Sequence, residues 1–188
     1  MRPSFLLAAV LFARRFIVSF MVLFVFASPS HAVDSVSLEL GSGNKTRLVR
    51  AGMQWHWESK WNIAENAQLS GLWDLSLAQW RGRRHKNQAG DTQDLMAIGI
   101  SPMLRLASRE NTGPYFETGL GPHLLSDNYD NNGRQLSTRF QFGSHLGLGY
   151  IFSNGLDVAL RFQHYSNASI KKPNDGVNFL ILRFSYPL

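Results

Sequence analysis

Beyond residue 32, apolar side chains recur at every second position through segments of about ten residues, and clusters of Gly, Asn, Asp and Ser separate the segments. Successive side chains on a strand point to opposite faces, so each segment presents one apolar face and one polar or small face. Val49, Ala51, Met53, Trp55 and Trp57 share a face, with Arg50, Gly52, Gln54 and His56 opposite. Phe140, Phe142, Leu146, Leu148 and Tyr150 repeat the pattern against Arg139, Gln141, Gly143, His145, Gly147 and Gly149. Similar alternation runs through residues 33–42, 67–80, 92–107, 114–126, 155–166 and 177–188. The pattern therefore predicts eight strands.

The polar phases decide which face is inside. They carry Asp74, Arg105, Glu117, His123, Asp157, Arg161 and Arg183, charges of both signs able to pair in a narrow lumen. A soluble barrel of the lipocalin kind would instead turn its apolar face inward around a ligand. Ladders of Phe, Leu and Trp opposite such charges belong to lipid, and the expected fold is all-β, an eight-stranded antiparallel transmembrane β-barrel of the outer membrane. Eight strands leave an interior just filled by side chains. An even strand number puts both termini in the periplasm, so the polar stretches 81–91, 127–136 and 167–176 are outer loops and residues 152–154 a tight inner turn. Residues 58–66 read as an inner connection longer than that side usually has.

Residues 1–32 have a different character. Arg2, Arg14 and Arg15 precede an uncharged run from Phe16 to Ala27, and the small residues Ser30 and Ala32 follow. That is the make-up of a secretory signal peptide, its apolar core short of the ~20 residues of a spanning helix. Arg14-Arg15 without the rest of a twin-arginine consensus does not alter this, and the mature barrel is expected over 33–188. Without the leader, sixteen basic residues stand against thirteen acidic ones, a mild net charge of +3. The chain has no cysteine, which removes disulfides, thiolate metal sites and cysteine nucleophiles.

One strand breaks its own pattern. In 155–166 the outward phase runs Leu156, Val158, Leu160, Phe162 and then His164 and Ser166, while Asp157, Ala159, Arg161 and Gln163 point inward. Of the other histidines, His31 is in the leader and His85 in a loop. His56, His123 and His145 fall on lumen phases, where hydrogen-bonded interior residues are the plain reading. His164 and Ser166, two apart, project from the same face with Cα atoms about 6–7 Å apart. A serine hydroxyl becomes a nucleophile when a neutral imidazole takes its proton. A polar rim would present the same residues without chemistry. The strand runs outward, so the pair sits among outer-leaflet headgroups, in a Gram-negative cell those of lipid A, whose esters lie at about this depth.

Phe162-Gln163-His164-Tyr165-Ser166-Asn167-Ala168, followed by Lys171-Lys172-Pro173-Asn174-Asp175-Gly176, resembles the lipid A 3-O-deacylase family, PagL. The likeness is tight in the last quarter of the chain and elsewhere a matter of pattern. It implies removal of the ester-linked acyl chain at position 3 of lipid A by a serine hydrolase that uses no cofactor and no metal. His164 then corresponds to the general base and Ser166 to the nucleophile. Asn167, Asn174 and the backbone after Ser166 become candidates for the oxyanion hole. The family pattern has a glutamate at the start of the last strand where this chain has Asn178. Asn178 shares the outward phase with Leu180, Leu182, Phe184 and Tyr186, and its carbonyl can orient the imidazole across the hairpin. Asp175, on the opposite phase, is the weaker substitute.

Arg81, Arg83, Arg84 and Lys86 form a basic loop suited to the phosphates or sugar acids of lipopolysaccharide, or to solvent. The expected partners are lipid A and outer-membrane lipid, with a homodimer compatible with such a barrel and nucleic acid excluded by export. An acyltransferase barrel and a non-catalytic structural or adhesion barrel are the competing classes. The first needs a lumen open to an acyl chain, and the second has no use for His164 beside Ser166.

Overall fold

The computed structural model describes residues 32–188, so the expected signal peptide lies, apart from Ala32, outside the described residues. The strands are β1 (Ser35–Gly43), β2 (Thr46–Ala64), β3 (Ala67–Gly82), β4 (Gln93–Ser108), β5 (Gly113–Leu125), β6 (Asp130–Asn131), β7 (Arg134–Gln135), β8 (Phe140–Ile151), β9 (Asp157–Ser166) and β10 (Val177–Pro187). Eight of them close a barrel in the order β1-β10-β9-β8-β5-β4-β3-β2, every neighbour antiparallel. The remaining two, β6 and β7, form a small hairpin inside the loop between β5 and β8. That loop carries structure of its own where the sequence predicts only polar residues.

The alternation sorts as expected. Leu38, Leu40, Val49, Leu77, Ile98, Phe116, Leu148, Phe162, Leu180 and Leu182 stand exposed on the outer wall, and the charged phase is buried. Side chains fill the lumen in two layers. Toward the periplasmic half, Arg161 joins Glu39 at 2.9 Å and Glu117 at 2.5 Å, and Arg50 also binds Glu39. Arg105 bridges Glu117 and Asp157, both at 3.0 Å, and Arg183 reaches Asp157 at 2.9 Å. Burying such charges is tolerable only because each finds a partner of opposite sign. Toward the outer end, Leu48, Trp80, Leu125, Tyr129, Leu136, Tyr165, Val177 and Phe179 form an apolar plug. Trp80 lies edge-on to Tyr165 and Phe179, with centroids 4.8 and 4.9 Å away. Among the described residues these side chains occupy the outer end of the lumen, where an acyl chain would otherwise have to enter.

Three expectations are corrected. Residues 58–66 are not a long inner connection: β2 continues to Ala64, and only Glu65 and Asn66 turn into β3. An irregularity between His56 and Lys60 hides this, because residues inserted at a bulge break the two-residue period. His56 accordingly stands half exposed at the periplasmic mouth, 3.9 Å from Asp34, rather than inside like His123 and His145. Arg139 precedes β8 and is exposed, donating from Nε to the Leu125 carbonyl at 2.9 Å, so the lumen phase starts at Gln141.

Candidate active site

β9 and β10 pair in a register that sets His164 directly opposite Asn178 and Tyr165 opposite Val177. Tyr165, Val177 and Phe179 are fully buried in the apolar plug, and this anchorage turns their neighbours His164, Ser166 and Asn178 to the outer wall. His164 Nδ1 lies 2.6 Å from Asn178 Oδ1. A carbonyl oxygen only accepts, so Nδ1 carries the proton and Nε2 presents its lone pair. Ser166 shares that face, and its hydroxyl has no hydrogen-bond partner among the described residues. Asp175 is engaged elsewhere: its carboxylate accepts the Gln135 backbone N–H at 2.7 Å.

Gly176 completes the seat of the imidazole. A Cβ there would lie 2.7 Å from His164 Cε1, and its φ of +66° also favours glycine. Ser144 on β8 pairs with His164 from the other side, so the polar patch spans three strands as Ser144, His164, Ser166 and Asn178. Ser144 interrupts the stripe between Phe142 and Leu146, the same signal that exposes His164, but serine is small enough to pass for a neutral member of either phase.

The loop after Ser166 sorts the oxyanion candidates. Asn167 is fully buried, and its amide donates to the Lys171 carbonyl at 2.8 Å and Ser137 Oγ at 3.4 Å. The residue after outward Ser166 falls on the inward phase, which turns this side chain from the face of His164 and Ser166 toward the loop it braces. The backbone N–H of Asn167 donates to Asn174 Oδ1 at 3.0 Å. That bond fixes the Asn174 amide with its NH2 group free to donate. The β6–β7 hairpin holds this loop from above: Leu136 bridges Asn174, and Arg134 Nη1 donates to the carbonyls of Asp175 at 2.6 Å and Gly176 at 3.2 Å. No sequence signal links these segments, which lie some forty residues apart.

The basic loop divides. Arg83 and Arg84 line a shallow cleft of about 380 Å³ together with Lys45 from the β1–β2 turn. Arg81 is on the outward phase of β3, 3.9 Å from Asp94, and Lys86 does not line the cleft.

A closed barrel with an apolar outer belt, interrupted near its outer rim by a serine and an oriented histidine, defines the class: an outer-membrane β-barrel enzyme. The model of the family described as Lipid A 3-O-deacylase (PagL) matches residues 47–187, and the chain belongs to that family. The lipid A deacylase PagL of Pseudomonas aeruginosa is 26% identical over 164 residues, covering 87% of this chain and 91% of the relative. That of Bordetella bronchiseptica is 28% identical over 158 residues, covering 80% and 82%. The crystal structure of the outer membrane enzyme PagL superposes with a TM-score of 0.71 at 26% identity, covering 82% of this chain and 99% of the other.

Proposed function

We propose that Ser166, activated by His164, carries out the family's reaction in this chain: hydrolysis of the ester-linked acyl chain at position 3 of lipid A in the outer leaflet. Ser166 Oγ attacks the ester carbonyl while His164 Nε2 takes its proton. The Asn174 NH2 group donates to the oxyanion of the tetrahedral intermediate. Collapse expels the sugar 3-hydroxyl, which receives the proton back from His164 and leaves the acyl group on Ser166. Water, deprotonated by His164, then releases the fatty acid and restores the serine. Asn178 is a positioning residue that holds the imidazole in the tautomer this cycle needs.

The observation that carries the reading is the 2.6 Å contact between His164 Nδ1 and Asn178 Oδ1 on a wall otherwise given to lipid. A structural or adhesion barrel has no need of an oriented imidazole there. The apolar plug at the outer end of the lumen weighs against a transferase that shelters an acyl chain there. Pairing of two copies in the membrane is an expectation to be checked by crosslinking in intact membranes.

The test is mass spectrometry of lipid A from cells expressing the wild type, Ser166→Ala or His164→Ala, with folding confirmed by heat-modifiable gel mobility. Loss of one 3-linked acyl chain with the wild type, and with neither folded variant, is the expected result. Unchanged lipid A with a folded, surface-exposed wild type overturns it in favour of a structural barrel.

A further inference from the structure

The cations inside this barrel have acidic neighbours: Arg50, Arg105, Arg161 and Arg183 are paired in the lumen, and on the wall Arg81 stands beside Asp94. Lys45, Arg83 and Arg84, like other surface cations, have none, but they alone of these gather at one cleft among the described residues. Among the described residues no carboxylate lies within salt-bridge distance of any of them, yet all three converge on one cleft at the outer end. Arg84 Nε is buried there without a hydrogen-bond partner. Like charges gathered without acids repel one another, and an anion relieves that cost.

The cations are also held in place. The fully buried Asn131 donates from Nδ2 to the Asn44 carbonyl at 2.8 Å and accepts the Arg84 backbone N–H on Oδ1 at 2.7 Å. Asn44 Nδ2 returns a bond to the Asn131 carbonyl at 2.8 Å, and the Arg83 N–H donates to the Lys45 carbonyl at 3.0 Å. Asn44 and Lys45 turn through left-handed conformations, φ 48° and 57°, in a tight connection that fixes the Lys45 backbone beside the arginine loop. A single buried amide thus ties the Lys45 turn to the arginine loop.

The Lys45 edge of the cleft adjoins the β9–β10 hairpin. β1 pairs β10 with Ser42 opposite Leu180, so the turn that follows reaches the level of Asn178. Strand spacing puts β1 roughly 10 Å from β9 around the wall and the end of β3, which leads into Arg83 and Arg84, roughly 20 Å, so the cleft begins beside the site and extends away from it. The segment carrying Asn131 also carries Arg134 and Leu136, which hold the loop of Asn174, so one element positions both groups. We infer that Lys45, Arg83 and Arg84 form a preorganised clamp for a phosphate monoester, which seats a phosphorylated sugar of the lipid substrate so that its acyl ester meets Ser166. The inference rests on the deacylase reading above. Arginine forks and a lysine ammonium bind such a dianion through charge-assisted bonds.

The test uses the full chain, folded in detergent, as wild type and as the triple variant Lys45→Gln, Arg83→Gln, Arg84→Gln. The substrates are lipid A with its phosphates and the same lipid A stripped of them. The expected result is a fall in kcat/KM of roughly tenfold or more on the phosphorylated lipid, carried by KM, and no comparable fall on the stripped one. An equal effect on both lipids, or none on either, overturns the clamp. Binding of both lipids to Ser166→Ala protein, with and without the three substitutions, reads the clamp without turnover. A catalytically silent wild type whose cations still favour the phosphorylated lipid would sink the deacylase reading alone. Inorganic phosphate separates the sources: if it binds alone, is lost in the triple variant and fails to compete with lipid A, the cleft is a free-anion site and the lipid clamp is overturned.

Discussion

His164 Nδ1 and Asn178 Oδ1 face each other at 2.6 Å across a directly opposed pair of β9 and β10, on the lipid side of the barrel. As the proposed positioning residue, the amide performs half of the task an acid would perform there. It fixes the tautomer with the proton on Nδ1, but adds no negative charge that could steady an imidazolium.

Asn178→Glu should therefore raise kcat, by about tenfold, because it restores the anion without moving the strand. Asn178→Ala, which frees the ring, should lower it by about ten- to a hundredfold. Deacylation rates on lipid A in detergent check both. If Asn178→Ala matches the wild type in kcat, the amide plays no part in orientation.

Asn174 separates catalysis from loop bracing in one substitution. In Asn174→Asp a carboxylate oxygen still accepts the Asn167 N–H, so the loop stays closed, but the donor is gone and a negative charge faces the oxyanion. The expected loss is about 10²–10³ in kcat with little change in KM. Stopped-flow acylation with a chromogenic ester reads this step directly, and a variant that acylates at the wild-type rate would remove Asn174 from the oxyanion hole.

The barrel and half of the site were legible because phase is a strong signal. Ten residues of regular alternation leave one inside-out assignment, and His164 was conspicuous for violating it. Asn178 followed from the hairpin, since paired residues on neighbouring strands share a face. The signal fails where the period fails: beyond His56 an irregular pairing lets Trp57 cover Gly71, and a continuing strand reads as a loop. It fails again for contacts between distant loops. Nothing in the spacing reveals that Arg134 caps the carbonyls of Asp175 and Gly176, or that Asn131 ties Lys45 to Arg84.

Glu117 has no exposed surface and bonds both Arg161 and Arg105. Glu117→Gln should destabilise the folded barrel by about 3–5 kcal/mol, since it leaves two buried guanidinium groups short of negative charge. The urea midpoint of the heat-modifiable gel shift measures this. Activity per folded molecule should persist, because Glu117 lies in the lumen and the proposed reacting groups, His164 and Ser166, lie on the outer wall. An unchanged midpoint would mean that the lumen charges are compensated by water rather than by each other.

Gly176→Ala tests whether the seat of the imidazole matters as much as its hydrogen bond. The added methyl would fall 2.7 Å from His164 Cε1, closer than side-chain atoms pack, and the φ of +66° adds a strain of about 1 kcal/mol. The barrel can absorb that strain, as Gly176 lies in an outer loop outside the strand ladder. The ring cannot stay in place: it must tilt away from the methyl, lengthening its bond to Asn178 or its reach to Ser166. A displacement near 1 Å of a catalytic group costs about a hundredfold in rate. The expected variant thus folds with normal gel mobility, binds lipid A as the wild type does and deacylates it about a hundredfold more slowly. Wild-type kinetics in a folded Gly176→Ala protein would show that His164 finds its working position without the glycine beneath it.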